Sequence, residues 1–193
     1  IILDQSGNAF TSTVTMKAGS SGSLAFNDIT FVDSTAVRLH SSAASAGDLF
    51  IDATNNLAVG GDLSITATNG HITQSGALTI TGAATFITAT TSKNIILDQN
   101  NVFTTTVTMK AGTGGSDAFN NITFVDTNGV DLVSSTPSAG DLFIDASTDL
   151  DVDGALIISA TAGNFTQGSE LAVGTLSTFT TSAINGTITL NDA

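Results

Sequence analysis

The second half of this chain restates the first. IILDQ at Ile1 to Gln5 returns at Ile95 to Gln99, and TVTMKAG at Thr13 to Gly19 returns at Thr106 to Gly112. ITFVD at Ile29 to Asp33 returns at Ile122 to Asp126, and SAGDLFIDA at Ser45 to Ala53 returns at Ser138 to Ala146. The period is about 93 residues, with roughly half of the aligned positions identical, and ITLND at Ile188 to Asp192 reads as the opening of a third copy. The reading is therefore one repeat over residues 1–94, a second over 95–187 and the start of a third over 188–193, joined in one continuous solenoid. A chain that opens at Ile1 and stops inside a repeat is read as a slice of something longer.

Two copies in one chain let duplication act as a filter on residue roles. Five Phe pairs survive it: Phe10/Phe103, Phe26/Phe119, Phe31/Phe124, Phe50/Phe143 and Phe86/Phe179. These ten are the expected core ladder. Arg38 and both histidines are not copied: Arg38 becomes Asp131, His40 becomes Val133 and His71 becomes Asn164. That pattern reads as a faithful core under a drifting surface.

Short alternating runs recur at Asp48 to Ala53, Asp62 to Thr68, Ala77 to Gly82, Asn94 to Gln99, Thr106 to Ala111, Asn121 to Asp126 and Ala155 to Ala160. Apolar residues occupy every second place, and Gly, Asn, Asp or Ser separates one run from the next, which predicts strands joined by tight corners. In DLSIT, Leu63 and Ile65 point to one face while Asp62, Ser64 and Thr66 point to the other. Roughly a sixth of the residues are Thr, whose branching at Cβ favours a pleated surface over a helix. Coils of roughly 20 to 25 residues, stacked about 4.8 Å apart, would make a rod on the order of 40 Å long. The fold expectation is all-β: a right-handed parallel β-helix, with tandem immunoglobulin-like sandwiches as the alternative because 93 residues is close to that domain's length.

Composition narrows the function classes. The formal charge is −13 with four cations, Lys17, Arg38, Lys93 and Lys110, so no basic patch can release counterions from a phosphate backbone and nucleic acid is excluded as a partner. No run of about 18 apolar residues exists to span a bilayer, so no membrane insertion is expected. Only 11 % of the residues are charged and none is Cys, so the fold must stand on packing and hydrogen bonds.

The stretch GDLSITATNGHITQSGALTITGAATFITA from Gly61 to Ala89, followed by NIILDQNN from Asn94 to Asn101, resembles the tandem repeats of filamentous-haemagglutinin-like and autotransporter-type bacterial surface adhesins. Those repeats run GxLxIxAxxGxIxQSGxLxVxGxxTFxA and then xxIxLxxxxN. Copy two keeps the frame less tidily from Gly154 to Asp192. The resemblance implies a right-handed parallel β-helix and an extracellular or cell-surface, adhesin-like role.

Several constellations could carry chemistry. Asp149, Asp151, Asp153 and Gly154 spell the start of a calcium loop, so calcium is a possible ligand there, although the twelfth position is Ala160 and copy one offers Asn56, Ala58 and Gly60. Asp33, Asp48 and Asp52 recur as Asp126, Asp141 and Asp145, and paired carboxylates could cleave glycosides; their strand-end positions suit corner hydrogen bonding equally well, and with no cation reliably near, corner or ion-binding roles are the preferred reading. Lys17 and Lys110 are the cations preserved between copies, readable as salt-bridge partners or as one half of an isopeptide crosslink. Thr-x-Thr runs at Thr11 to Thr15, Thr79 to Thr81 and Thr104 to Thr108 have the composition of an ice-binding face without its regular spacing. Asn121, Asn164 and Asn185 lie in glycosylation sequons, but their counterparts are Asp28, His71 and Ser92.

The functional expectation is a non-catalytic stalk or filament segment with no catalytic or cofactor-binding residues. Its partners would be further repeats or identical subunits end to end, and surface glycans or other cells. A carbohydrate-binding or carbohydrate-cleaving β-helix and an ice-binding rod are the alternatives.

Overall fold

The computed structural model describes residues 1–19, 27–39, 48–50, 57–112, 120–132, 141–143, 150–168 and 170–190, with the backbone alone described at 48–50, 141–143, 150 and 151. Among these residues the regular elements are strands, with no helix. Copy one contributes β1 (Ile2–Leu3), β2 (Val14–Thr15), β3 (Ile29–Asp33), β4 (Val37–Leu39), β5 (Asp48–Phe50), β6 (Leu57–Val59), β7 (Leu63–Ala67), β8 (Ile72–Gln74), β9 (Leu78–Ile80) and β10 (Ala84–Thr88). Copy two opens with β11 (Ile95–Phe103) and β12 (Val107–Ala111), then β13 (Ile122–Asp126), β14 (Val130–Leu132) and β15 (Asp141–Phe143). It closes with β16 (Leu150–Val152), β17 (Leu156–Ala160), β18 (Phe165–Gln167), β19 (Leu171–Val173) and β20 (Ser177–Thr181), and β21 (Ile188–Thr189) begins the third motif.

The strands obey the alternation read from the sequence. In β7, Leu63, Ile65 and Ala67 are buried while Ser64 and Thr66 are half-buried, and β10, β12, β13 and β17 repeat that five-residue pattern. A strand with one buried face needs partners on both edges, and here they come from other coils of the chain. Every pairing described is parallel. Immunoglobulin-like sandwiches are built from antiparallel sheets, so this pairing does not fit them.

Two long sheets result, one of nine strands (β1-β3-β7-β10-β12-β15-β14-β18-β21) and one of ten, made of the eight-strand path β2-β5-β4-β8-β11-β13-β17-β20 together with β6 and β9. In the latter, β6 and β9 lie off the path, pairing with each other and β9 with the second half of β11, while β16 and β19 form a separate two-stranded sheet. The expected coil of 20 to 25 residues describes part of the stack. Ala84 lies beside Leu63 and Val107, but Leu63 lies beside Ile29 and Val107 beside Leu142, much longer steps. The order also reverses once in each copy, because β5 inserts between β2 and β4 and β15 inserts between β12 and β14.

The repeat does not return each strand to its own sheet. Strands β3, β7 and β10 belong to the nine-stranded sheet, whereas their copy-two counterparts β13, β17 and β20 belong to the other. The 93-residue repeat and the order of strands in the sheets are therefore out of step.

The side chains pointing inward from both long sheets form one continuous core. Phe10 stacks on Phe31 with centroids 5.3 Å apart and planes at 25°, and Phe103 stacks on Phe124 at 5.4 Å and 26°, so the aromatic packing is duplicated with the sequence. Phe86 meets the edge of Phe103 at 6.2 Å, extending the second pair into a three-ring run. Phe165, whose counterpart is Ile72, is also fully buried and lies 4.8 Å from Phe179.

Burying a Phe in close-packed surroundings makes its removal costly. Phe124→Ala is expected to destabilise by about 3–5 kcal/mol in chemical denaturation, and Phe10→Ala at the half-buried end by less than half as much. Equal losses at the two positions would contradict the packing described.

Candidate functional site

The residues with the most chemistry to offer lie at the corners. Where the chain turns between sheets, backbone N–H groups leave the regular ladder and need an acceptor. The sequence supplies one immediately ahead of a strand. Asp28 Oδ1 accepts from the Asp62 N–H at 2.9 Å, Asp62 Oδ1 accepts from Ala83 at 2.8 Å, and Asn121 Oδ1 accepts from Ala155 at 2.8 Å. Along another corner, His71 Nδ1 accepts from the Asn94 N–H at 2.9 Å and Asn164 Oδ1 accepts from Thr187 at 3.1 Å. Each donor is itself the residue ahead of the next paired strand, so the corners form ladders of their own.

These contacts recast substitutions that the sequence comparison reads as drift. Asp28 and Asn121 occupy the same place in the two copies, as do His71 and Asn164, and in each pair the acceptor role survives the change of residue. Two of the three sequon asparagines, Asn121 and Asn164, thus work as backbone acceptors. The third, Asn185, holds φ +63°, and its counterpart Ser92 holds +62°, so that pair preserves a left-handed turn instead. Stacking at the corners is close. A Cβ on Gly61 would lie 2.7 Å from the Asp28 backbone N, and one on Gly154 would lie 2.6 Å from that of Asn121.

A second kind of corner is buried. Asn101 has no exposed surface; its Oδ1 accepts from Gln74 Nε2 at 2.8 Å and from the Leu78 N–H at 2.9 Å. Its Nδ2 donates to Val125 O at 2.9 Å and Gln74 Oε1 at 3.1 Å. One side chain on β11 therefore ties together residues of β8, β9 and β13. Asn8, its copy-one counterpart, donates likewise to Val32 O at 3.4 Å.

Asp33 and Asp126 sit beside these asparagines and are buried. Asp33 Oδ1 accepts from the Phe10 and Thr35 N–H groups, both at 3.3 Å, and Asp126 Oδ1 accepts from Phe103 N–H at 3.4 Å. Burial pushes the Asp126 carboxyl up to about 6, against the opposing pull of backbone N–H groups from Phe103, Asn128 and Thr127. Of the recurring carboxylates that could be read as a glycosidase pair, Asp33 and Asp126 are thus engaged with backbone at separate corners.

Beside this corner opens a shallow cleft of about 600 Å³, bordered by Phe103, Thr104, Asn128, Val130, Asp131 and Asn164. Its polar groups already have partners. Thr166 Oγ1 donates to Asp131 Oδ1 at 2.7 Å, Asn128 Nδ2 donates to Phe103 O at 3.0 Å, and Thr104 Oγ1 donates to Thr81 O at 2.8 Å.

Of the ten expected core Phe, Phe31, Phe86, Phe103 and Phe124 are buried, and Phe10 and Phe179 are half-buried against the core. Phe26 and Phe119 lie outside the described residues, and at Phe50 and Phe143 only the strand backbone is described. For the calcium candidates, Asp149 lies outside the described residues, Asp151 is described in its backbone alone and Asp153 is exposed. Asp48 and Asp141 open short strands, while Asp52 and Asp145 also fall outside. Lys17 and Lys110 both engage partners. The residues missed by sequence reasoning are Asn8, Asp28, Asp62, Gln74 and Asn101; their signal was the place of Asp28 and Asp62 directly ahead of an alternating run.

Residues 46–110 match a family described as repeats of unknown function (DUF5649), a stretch that runs from β5 to β12 and crosses the junction between the two copies. No curated protein and no solved structure gives a match.

Two outcomes follow from the corner chemistry. Asn101→Ala leaves the Leu78 N–H and the Gln74 amide buried without that partner, and is expected to cost roughly 3 kcal/mol in urea denaturation, whereas Asn8→Ala should cost about 1 kcal/mol. For Asp126, the folded-state value of about 6 lies above the unfolded 3.8, so the native state holds the proton more tightly. Its contribution is present in full below about 4 and is lost as the pH rises through about 6. Melts between pH 4 and 8 should show stability falling with pH, and Asp126→Asn should flatten that slope.

Proposed function

We propose that this chain is a segment of a right-handed parallel β-helix that serves as a non-catalytic stalk or filament in an extracellular, adhesin-like bacterial surface protein. One observation carries the reading: the third motif docks on the second as the second docks on the first. Ile95 lies beside Ile72 and Ile96 beside Thr73; Ile188 lies beside Phe165 and Thr189 beside Thr166. A junction reproduced in the same register extends without any new kind of contact, as length-building architectures require.

The corner chemistry supports the same conclusion. Carboxylates and amides that recur between copies are used to hold backbone N–H groups, a structural use of groups that a hydrolase would aim at a substrate. The net charge of −13 adds self-repulsion that discourages lateral clumping. The repeat-family match across the copy junction supports a repetitive role, and the adhesin identity rests on the resemblance of Gly61 to Asn101 to surface-protein repeats. A carbohydrate-binding role would be sited in the cleft beside Phe103 and Asp131.

Small-angle X-ray scattering of the isolated chain tests the reading. Nine strands at about 4.8 Å spacing predict a rod on the order of 40 Å long. A distance distribution with two separate globular maxima would contradict it.

A further inference from the structure

We propose that the cleft beside Phe103 and Asp131 binds a neutral saccharide unit, and that the equivalent place in the first copy does not. The inference goes beyond the stalk reading, because it gives one copy of the repeat a ligand that the other does not take.

The cleft lies within the chain, with neighbours on both sides. Asn128 Nδ2 donates to Phe103 O at 3.0 Å on one side, and Asn164 Oδ1 accepts from the Thr187 N–H at 3.1 Å on the other. Phe103 and Val130 line it and are each only 2 % exposed, so its deepest part is apolar, while Asn128 and Asn164 are exposed at its rim. Its volume of about 600 Å³ falls in the range of small-ligand sites.

The rim groups are held by the protein through one atom each. Asp131 Oδ1 receives Thr166 Oγ1 at 2.7 Å, which leaves Oδ2. Asn128 donates from Nδ2, which leaves Oδ1, and Asn164 accepts at Oδ1, which leaves Nδ2. Among the described residues these three remaining atoms have no protein partner. Two acceptors and one donor around an apolar floor complement a sugar ring. Its hydroxyls donate to Asp131 Oδ2 and Asn128 Oδ1, another accepts from Asn164 Nδ2, and its C–H face covers Phe103 and Val130. Asp131 is the charged residue in the lining and the chain carries −13, which disfavours an anionic ligand.

Duplication supplies a second, independent observation. At three lining positions the second copy carries the smaller residue: Gly129 where the first has Ala36, Asp131 where it has Arg38, and Asn164 where it has His71. Each change removes bulk from the cleft, and the change at 131 also exchanges a guanidinium that only donates for a carboxylate that accepts. The backbone beneath is the same in both copies, since Asp131 lies beside Thr166 as Arg38 lies beside Thr73. Arg at position 131 is therefore compatible with the fold.

The test is a titration of the isotopically labelled full chain with cellobiose, lactose, maltose and N,N′-diacetylchitobiose, followed through backbone amide shifts. At least one sugar is expected to move Thr104, Asn128, Gly129 and Thr166 saturably while their copy-one counterparts Thr11, Thr35, Ala36 and Thr73 stay in place. Asp131→Arg is expected to weaken that binding about tenfold or more, and the exposed Asn128→Ala to weaken it without altering the melting curve. The proposal is overturned if none of the four sugars moves the cleft amides, if both copies respond alike, or if both variants bind as the native chain does. The stalk reading is judged separately by the scattering profile: a rod that binds none of the sugars keeps that reading and ends this one.

Discussion

Everything in this molecule depends on the parallel backbone ladder between coils. A short parallel strand cannot satisfy its N–H and C=O groups within its own coil, so each coil is completed by the one before and the one after. The same demand continues around the corners, where the ladder is interrupted and side chains take over as acceptors. Asp and Asn suit these places because they are short enough to reach a backbone N–H beside a neighbouring strand while their own backbone remains at the corner. Asp28, Asp62, Asn121 and Asn164 all do so at 2.8 to 3.1 Å.

The core follows the same logic. Inward positions must be apolar at every coil, and duplication preserves them as stacked pairs such as Phe10 with Phe31 and Phe103 with Phe124. Because the sequence repeat and the order of strands in the sheets are out of step, β3 and its counterpart β13 lie in different sheets. Identical residues are therefore packed by similar neighbours while lying in different sheets.

Much of the architecture was legible in the residues. Alternation marked the strands from Leu63 to Ala67, from Val107 to Ala111 and from Ile122 to Asp126, and the surviving Phe pairs marked the core. Phe165 was not legible by that filter, since Ile72 fills the same place with another apolar residue and the pair does not look copied. The change of His71 to Asn164 misled for the opposite reason: two dissimilar residues share one acceptor geometry, which identity cannot register. The insertion of β5 and β15 out of order was invisible because strand pattern fixes which face points inward but not which coil lies alongside. Asn101 drew no notice in the sequence, and only the contacts it makes to Gln74, Leu78 and Val125 reveal it as a buried junction.

Among the described residues, corner side chains hold the chain's own backbone from one strand to the next. The central claim is that the strands pair in parallel at the stated registers. The most direct measurement is a set of nuclear Overhauser contacts from isotopically labelled protein, between backbone protons of Phe86 and those of Ile65 and Met109, and between Phe124 and Ile158. The account predicts amide-to-Hα contacts for these pairs with no close Hα–Hα contacts. Strong Hα–Hα contacts between strands adjacent in sequence, such as β9 and β10, would show antiparallel hairpins and contradict it.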